Sequence, residues 1–194
     1  MAFPATPVAP VARPGRSGVE SDGEGAEHDG FRRGKTAVKR SAAAPTFPAM
    51  RIAVFSDTHD RYPPGLPERM RGADEIWHLG DVCAPEVLDA FMQLGPPLVV
   101  LQGNCDLEES WPLTLELERE GVKFYLTHIP PSSVPRGTQA VLHGHTHVPR
   151  DETILGVRWL NPGCITRPRG DLPPSFAWLT VAGGQLTSWE LVRV

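Results

Sequence analysis

Seven side chains of the kinds that bind metal ions lie in short polar motifs of this 194-residue chain, and the motifs follow apolar runs. They are Asp57, His59, Asp81, Asn104, His128, His145 and His147. Carboxylate, amide and imidazole groups bind hard to borderline divalent cations. One such motif is a weak signal, whereas the set of seven predicts a metal centre.

The first motifs recur at nearly equal intervals along the chain. Successive intervals between Asp57, Asp81, Asn104 and His128 are 24, 23 and 24 residues. A strand, a crossover and the next strand occupy roughly 20–30 residues, because a parallel crossover needs about a dozen. We therefore expect successive strands to bring these side chains to one edge of a sheet, where open α/β sheets bind ligands. The last interval, from His128 to His145, is only 17 residues.

The number of these side chains indicates how many ions the centre holds. Seven ligands exceed the four positions of one tetrahedral site, and two sites that share the two oxygens of Asp81 use them all. Two metals about 3.5–4 Å apart can hold a hydroxide between them, clamp a phosphate and stabilise both oxygens of an in-line displacement. A bound metal also lowers the pKa of water towards about 7. Hydrolysis of a phosphate ester is therefore the predicted reaction.

The ligand types also favour some ions over others. Imidazole and carboxylate ligands suit Mn²⁺, Fe, Zn²⁺ and Co²⁺ better than Ca²⁺. We expect two divalent ions as cofactors, Mn²⁺ first, with Fe, Zn, Co, Ni and Mg as alternatives. The NH₂ group of Asn104 can also reach a substrate oxygen. Asp81, Asn104 and His145 are predicted to take a direct part in catalysis.

Short apolar runs predict the elements that must position the first motifs. Such runs with β-branched residues are typical of buried strands, here 52–56, 75–79 and 98–101. Residues 66–71 are predicted to form a short helix, and 85–94 a longer one. Pro85 suits a first helical position and Gly95 can end the helix. Its predicted apolar face consists of Leu88, Phe91 and Met92.

The second half of the chain has the pattern of hairpins instead. The predicted strands are 113–117, 122–127, 140–142, 153–155, 157–160, 176–181 and 185–191. Turns at 118–121, at Gly156 and at Gly183-Gly184 connect three pairs of them. The order of elements predicts an α/β (α+β) fold, a two-sheet mixed β-sandwich flanked by helices.

Residues 1–49 differ from the rest of the chain in composition. They are rich in Pro, Ala, Gly and charge and show no hydrophobic period, which predicts a disordered tail. Met50 directly precedes the first strand, so the alternative is a true start at Met50, with the upstream residues belonging to a mis-called start. Residues 50–194 are predicted to form one domain.

Charge and cysteine content limit the partners. Residues 1–49 hold seven basic and five acidic side chains, and residues 50–194 hold twelve and eighteen, a net charge of −6. An acidic domain disfavours long nucleic acid, so the expected partner is a small phosphoester substrate. No stretch approaches the roughly 18 apolar residues of a membrane span. Three cysteines and no secretory segment predict a reducing, cytoplasmic location.

Taken in order, the motifs resemble those of a known family. They are Ser56-Asp57-Thr58-His59, His78-Leu79-Gly80-Asp81, Gly103-Asn104-Cys105-Asp106, Thr127-His128, Gly144-His145-Thr146-His147 and Asn161-Pro162-Gly163. Across residues 50–194 the chain resembles the calcineurin-like metallophosphoesterases, most closely their small bacterial and archaeal phosphodiesterase branch. A metal-poor retromer scaffold subunit is related to that branch.

The resemblance implies a fold, an activity and two ligand sets. The implied fold is the calcineurin-like sandwich, and the implied activity is phosphodiester hydrolysis by in-line attack of a metal-bridging hydroxide. One metal is expected to bind Asp57, His59, Asp81 and His147. The other is expected to bind Asp81, Asn104, His128 and His145.

The chain departs from the family pattern in two places. Many members have a histidine after the asparagine of the third motif, where Cys105 stands here, and a thiol with a pKa near 8.5 is a poor general acid. We therefore expect a preference for good leaving groups. The helix usual before the Gly-His-x-His motif has no room in the 17-residue interval. A partner subunit, as in a homo-oligomer, or the N-terminal tail is predicted to cover that sheet face.

Several neighbouring side chains have ordinary structural explanations. His78 and His143 are predicted to pack or to support ligands, and Cys83 and Cys105 to be small buried hydrophobes. Asp106 either orients a ligand histidine or caps a turn. Asn161-Pro162-Gly163 predicts a turn. Arg167 and Arg169 either contact a substrate phosphate or are solvated.

Two other functions remain open at this point. A non-catalytic, metal-poor scaffold on the same fold is the main alternative, and loss of metal ligands would favour it. A single-metal hydrolase is the other, and it would leave several of the seven side chains unexplained.

Overall fold

The computed structural model describes residues 49–107 and 110–194. Apart from Ala49, the predicted tail lies outside the described residues. The described chain forms two five-stranded sheets that share one core, which confirms the predicted mixed two-sheet sandwich. None of the helices within the described ranges has the length and apolar content that a membrane span requires.

The first sheet holds the early strands of the chain and its last hairpin. Its strands are β1 (Met50–Phe55), β2 (Glu75–His78), β3 (Leu98–Val100), β9 (Ser175–Ala182) and β10 (Gln185–Arg193), in the order β10-β9-β1-β2-β3. β1, β2 and β3 run parallel, and β9 pairs antiparallel with β1. The carboxyl ends of three consecutive strands therefore lie at one edge.

The second sheet follows the same principle. Its strands are β4 (Thr114–Arg119), β5 (Val122–Thr127), β6 (Ala140–Leu142), β7 (Arg150–Ile154) and β8 (Val157–Asn161), in the order β4-β5-β6-β8-β7. β5, β6 and β8 run parallel, while β4 and β7 pair antiparallel at the two edges. Residues 128–139, between β5 and β6, contain no helix or strand, in agreement with the short interval seen in the sequence.

Alternation along the strands builds the core between the sheets. Phe124 is buried and packs its ring edge against Trp77 of the first sheet, with ring centroids 5.3 Å apart. Full burial of such a side chain stabilises the fold by about 1.5–3 kcal/mol. Glu75 adds a polar link, because its carboxylate accepts hydrogen bonds from Trp77 Nε1 and Arg119 Nε, each 2.8 Å long. Arg119 belongs to the second sheet, so this link fixes the two sheets together.

The helices are shorter than the sequence predicts. Pro67–Met70 is a 3₁₀ turn, and the predicted helix at 85–94 is a 3₁₀ turn, Pro85–Leu88, followed by the α-helical turn α1 (Asp89–Met92). Leu88 and Phe91 lie three residues apart, a spacing that places side chains on one helical face, and both are buried. Met92 is 43% exposed, and its placement on the apolar face was wrong.

Candidate metal centre

All seven predicted ligands lie one to five residues beyond the carboxyl ends of parallel strands. Asp57 and His59 follow β1, Asp81 follows β2, Asn104 follows β3, His128 follows β5, and His145 and His147 follow β6. Each sheet thus contributes ligands at the same end of the sandwich, as the regular spacing predicts.

The backbone at most of these positions is left-handed. The φ angles are 60° at Asp57, 42° at His59, 59° at Asp81, 64° at His145 and 58° at His147. Non-glycine residues rarely adopt this region, which costs of order 1–3 kcal/mol each and persists where the surroundings enforce it. Such strain concentrates at functional sites. Five strained residues among the seven candidates therefore indicate a functional site.

Hydrogen bonds between the loops enforce these conformations. Asp57 N donates to Gly80 O and His59 N donates to Asp81 O, both at 3.0 Å. The carboxylate of Asp106 accepts from the backbone N–H groups of Asp81 at 2.9 Å, of Gly103 at 2.7 Å and of Cys83 at 2.7 Å. Of the two roles considered for Asp106, the structure thus shows the turn cap.

Two motif glycines are required by close approach. A Cβ atom on Gly103 would overlap the backbone nitrogen and Oδ1 of Asp81. A Cβ atom on Gly144 would overlap the Ser56 hydroxyl and approach Asp57 Oδ2 to 2.9 Å. The two glycines therefore let their motifs pack directly against the carboxylates of Asp81 and Asp57.

One group of ligand atoms surrounds Asp57 Oδ1. His147 Nε2 lies 3.1 Å from it, His59 Nε2 lies 3.5 Å from His147 Nε2, and His59 Nε2 lies 3.8 Å from Asp81 Oδ2. Ligand atoms about 2.1 Å from one ion lie about 3 Å apart at right angles and about 3.4 Å apart in a tetrahedron. The separations of 3.1 Å and 3.5 Å are of that size, whereas His59 Nε2 lies farther from the carboxylates, 3.8 Å from Asp81 Oδ2 and 4.0 Å from Asp57 Oδ1.

A second group faces the other oxygen of Asp81. His128 Nε2 lies 3.3 Å from Asp81 Oδ1, and the rings of His128 and His145 are 5.3 Å apart. His145 Nδ1 donates a 2.8 Å hydrogen bond to Asn104 Oδ1. The two oxygens of Asp81 thus face different histidines, His59 on one side and His128 on the other.

Backbone carbonyls set the orientation of two imidazoles, a feature that the sequence did not reveal. His128 Nδ1 donates to Leu79 O at 2.8 Å, and His147 Nδ1 donates to Arg167 O at 2.6 Å. The proton on Nδ1 leaves the lone pair of the neutral ring on Nε2, the nitrogen that faces the carboxylates. This is the usual outer-shell arrangement of a metal-binding histidine.

Three buried atoms lack a hydrogen-bond partner among the described residues. They are both carboxylate oxygens of Asp57 and Nε2 of His128. A buried carboxylate without compensation costs several kcal/mol, and buried charges are normally paired or coordinate metals. Oxygen and imidazole nitrogen are also the donor set that divalent transition ions accept. The residues present therefore fit divalent metal ions.

The electrostatics keep the shared carboxylate ionised. Burial opposes ionisation of Asp81, but the adjacent His128 imidazole and the backbone N–H of Cys105, which donates to Oδ1 at 2.9 Å, outweigh it and hold the pKa of Asp81 well below the usual range. Burial lowers the pKa of His59 despite the opposing charges of Asp81 and Asp57. An ionised carboxylate beside a neutral imidazole is the state in which both groups bind metals.

His78 and His143 have the packing roles predicted for them. His78 is fully buried, bonds Thr58 Oγ1 at 3.0 Å and accepts from Gly80 N. Burial lowers the pKa of each histidine to about 4, so both are neutral at physiological pH. His143 donates from Nδ1 to Gly144 O at 3.0 Å.

Asn161 does more than form the predicted turn. Its Nδ2 donates to Gly144 O at 2.9 Å and to Thr146 Oγ1 at 3.1 Å, while its Oδ1 accepts from Gly163 N at 2.7 Å. The side chain therefore braces the loop that presents His145 and His147. Its place in an Asn-Pro-Gly turn gave no signal of this contact.

The cysteines depart from the prediction. Cys83 is half-buried and Cys105 is exposed, so their interpretation as small buried hydrophobes was wrong. The reason is the end-of-strand location, where the loops open to solvent around the ligands. Cys164 is buried, and its thiol bonds the backbone carbonyl of Asp57 at 3.4 Å.

The loop that carries the two arginines is attached to His147. Besides the bond to Arg167 O, the amide of Arg169 donates to His147 O at 3.4 Å. Both arginines are exposed, and among the described residues neither guanidinium forms an ion pair. The charge of Arg167 helps to lower the pKa of His59, after the larger effect of burial, so this cation lies near the rim of the centre.

Comparison with known proteins places this geometry in a family. Residues 50–184 match the family model of the calcineurin-like phosphoesterase superfamily domain. A probable metallophosphoesterase of Methanocaldococcus jannaschii is 32% identical over 76% of this chain and 86% of its own length. The phosphodiesterase YfcE of Escherichia coli is 27% identical over 67% of this chain and 87% of its own length.

A solved structure shows the same fold. Vps29 of Entamoeba histolytica, complexed with Zn²⁺, aligns with a TM-score of 0.61 and 22% identity, over 75% of this chain and 98% of that protein. Its identity is low enough that this likeness concerns the fold alone. The family match over residues 50–184 and the archaeal relative show more. The chain therefore belongs to the calcineurin-like phosphoesterase superfamily, and its class of activity is metal-dependent phosphoester hydrolysis.

Proposed function

We propose that this protein is a dinuclear metal-dependent phosphodiesterase that acts on small substrates. The observation that carries the proposal is the position of Asp81, whose two oxygens face separate histidines at 3.8 Å and 3.3 Å. A carboxylate so placed can hold two ions at once. We propose Asp57, His59, Asp81 and His147 for one ion, and Asp81, Asn104, His128 and His145 for the other.

Two bound ions would supply a hydroxide nucleophile at neutral pH and neutralise charge on the phosphate during an in-line displacement. The remaining tasks fall to this chain's own side chains. Asn104 is exposed beside the centre, so its NH₂ group is available to a phosphate oxygen. His145 holds Asn104 in place through the 2.8 Å bond to its carbonyl oxygen. Arg167, at the rim, is available to a non-bridging oxygen of the substrate.

The identity of the ions follows from the ligand types. Four imidazoles, two carboxylates and one amide suit Mn²⁺, and Fe, Zn²⁺ and Co²⁺ as alternatives. The free thiols and the net charge of −6 over residues 50–194 support a cytoplasmic enzyme with small substrates rather than long nucleic acid.

Metal analysis and turnover test the proposal together. The purified full-length protein should bind about two transition ions per chain and hydrolyse members of a phosphodiester panel only when Mn²⁺ is supplied. Asp81→Ala should lose both ions, and His145→Ala should lose most turnover. One ion per chain with full activity would contradict the dinuclear centre.

A second function deserves a test because solved Vps29 proteins share this fold. A non-catalytic scaffold should bind no stoichiometric metal and should show no turnover of the panel. The presence of all seven candidate ligand residues, with buried unpartnered oxygens on Asp57, favours the enzyme.

A further inference from the structure

The three cysteines of the chain all lie against the proposed metal ligands. Cys83 Sγ is 3.6 Å from His59 Nδ1, and Cys164 Sγ is 3.4 Å from the carbonyl oxygen of Asp57. Cys105 Sγ is within 4.8 Å of both a ring nitrogen of His59 and a carboxylate oxygen of Asp81. Thiols are therefore concentrated at this end of the sandwich.

Only one of these thiols is placed among the ligand atoms. Cys83 approaches Nδ1 of His59, whereas Nε2 of that ring faces His147 and Asp81. Cys83 therefore lies behind the imidazole. Cys164 is occupied by the backbone of Asp57 and by the amide of Arg167, which lies 3.1 Å from its sulfur. Cys105, by contrast, forms a three-atom ligand group with His59 and Asp81.

Local bonds hold Cys105 in this position. Its backbone N–H donates to Asp81 Oδ1 at 2.9 Å, and Asn104 Nδ2 lies 3.4 Å from its sulfur as a donor. The residue is exposed, so the sulfur sits at the open side of the centre, between the shared carboxylate and solvent.

A second observation indicates a cation at the first group of candidate ligands. Asp57 is completely buried, and neither of its carboxylate oxygens has a hydrogen-bond partner among the described residues. This observation is independent of the cysteine and indicates a cation beside Asp57. An ion held by Asp57, His59, Asp81 and His147 would have four protein ligands, and transition ions also accept a fifth.

We propose that Cys105 Sγ is an additional ligand of this ion. The inference rests on the proposed metal centre. It gives Cys105 a role in metal binding, at a position where many family members have a histidine instead. On coordination the thiol releases its proton to solvent and a sulfur–metal bond forms, with no change of oxidation state.

Two consequences follow for the centre. A thiolate is a soft ligand and favours Zn²⁺ or Co²⁺ over Mn²⁺, so this chain should hold Zn²⁺ more tightly than a variant without the sulfur. Because the sulfur lies at the open side, an incoming phosphate oxygen must displace it or share the ion with it.

Optical spectroscopy of the Co²⁺-loaded full-length protein tests the inference without relying on activity. Wild type, prepared without air and with a reductant that contains no thiol, should show a thiolate-to-cobalt charge-transfer band in the near ultraviolet. Cys105→Ser should lose the band at saturating Co²⁺ while binding the same number of ions. Cys83→Ser is the matched control, because that thiol lies behind His59, and it should keep the band.

The same proteins give a second measurement, the affinity for Zn²⁺ relative to Mn²⁺. Cys105→Ser should weaken Zn²⁺ binding by about tenfold more than Mn²⁺ binding, a size typical of losing one supporting group at a metal site. Bound cobalt without the band, or a band that survives in Cys105→Ser, would overturn the inference and leave the metal centre intact. Failure to bind cobalt at all would overturn both this inference and the proposed function.

Discussion

Oδ1 of Asp57 lies 3.1 Å from Nε2 of His147, inside a pocket where the aspartate is fully buried. His59 and His128 approach the same oxygen at 4.0 Å. Three imidazoles around one carboxylate oxygen form a cage that suits a cation. This arrangement destabilises the metal-free fold, because the Asp57 carboxylate is buried without a cation, and a bound ion would offset that cost.

The first prediction concerns stability without metal. In chelator at pH 8.5, Asp57→Asn should be more stable than wild type by about 1–3 kcal/mol, because it removes a buried carboxylate whose oxygens have no hydrogen-bond partner among the described residues. That difference should raise Tm by several degrees. Thermal unfolding followed by circular dichroism measures it. With Mn²⁺ added, the order should reverse, and a variant less stable than wild type in chelator would contradict the argument.

Asp106 should behave in the opposite way. Asp106→Ala leaves three backbone N–H groups without their acceptor, and we expect a loss of roughly 2–4 kcal/mol in both chelator and Mn²⁺. Chemical denaturation measures the change. Metal affinity should also fall, since Asp106 holds the backbone of Asp81. An Asp106→Ala protein more stable than wild type would contradict the role of Asp106 as a turn cap.

A steric prediction compares Gly103, which is closely packed, with Gly72, which is exposed. Gly103→Ala should abolish binding of both ions, because its Cβ would overlap Asp81, the carboxylate proposed to hold them. Gly72→Ala is the control: nothing lies within 4 Å of its Cβ, and only its φ of +84° is unfavourable. The control should lose about 1 kcal/mol of stability and keep full metal content. Equal metal content in the two variants, measured by elemental analysis, would refute the packing argument.

Much of this site was predictable from the sequence, and the reason is geometric. The carboxyl ends of parallel strands meet at one edge, so the even spacing of Asp57, Asp81 and Asn104 was sufficient to bring them together. The roles of Asn161 and of the Arg167 carbonyl were not predictable. They depend on where a loop passes in space, and neither residue type nor interval carries that information.

The helices and the cysteines show the same limit. The apolar pattern of residues 85–94 indicated a helix, but a pattern cannot distinguish one α-helical turn from a 3₁₀ turn, and Met92 was misplaced for that reason. Cys105 was treated as a small apolar residue, whereas the end of β3 is open to solvent. The sequence singled out the candidate ligands but not the contacts that support them.

The leaving group should matter more here than in relatives with a histidine at position 105. Across a series of aryl phosphodiesters, the wild-type rate should fall steeply as the pKa of the leaving phenol rises, because no good proton donor follows Asn104. Cys105→His should flatten this dependence. The measurement is the slope of log rate against leaving-group pKa. A wild-type rate that does not depend on this pKa would contradict the prediction.

Arg167 should act on substrate binding and leave the ions in place. Arg167→Gln removes an exposed cation with no ion pair among the described residues, so stability should change by less than about 0.5 kcal/mol. We expect KM for a phosphodiester to rise about tenfold with two ions still bound, as for a lost charge-assisted hydrogen bond. An unchanged KM would show that Arg167 does not contribute to substrate binding.

The left-handed backbone at five of the ligands has a consequence for how such a chain changes over generations. Replacement of a strained residue by glycine or asparagine relieves local strain, and at Asp57 or Asp81 it also removes a buried charge, so such substitutions tend to strengthen the fold. Selection for stability alone would therefore erase the centre while preserving the sandwich. If the proposed centre is correct, a chain that carries all seven candidate ligands is maintained by what the bound ions do, and a chain freed from that demand could become a scaffold by few substitutions.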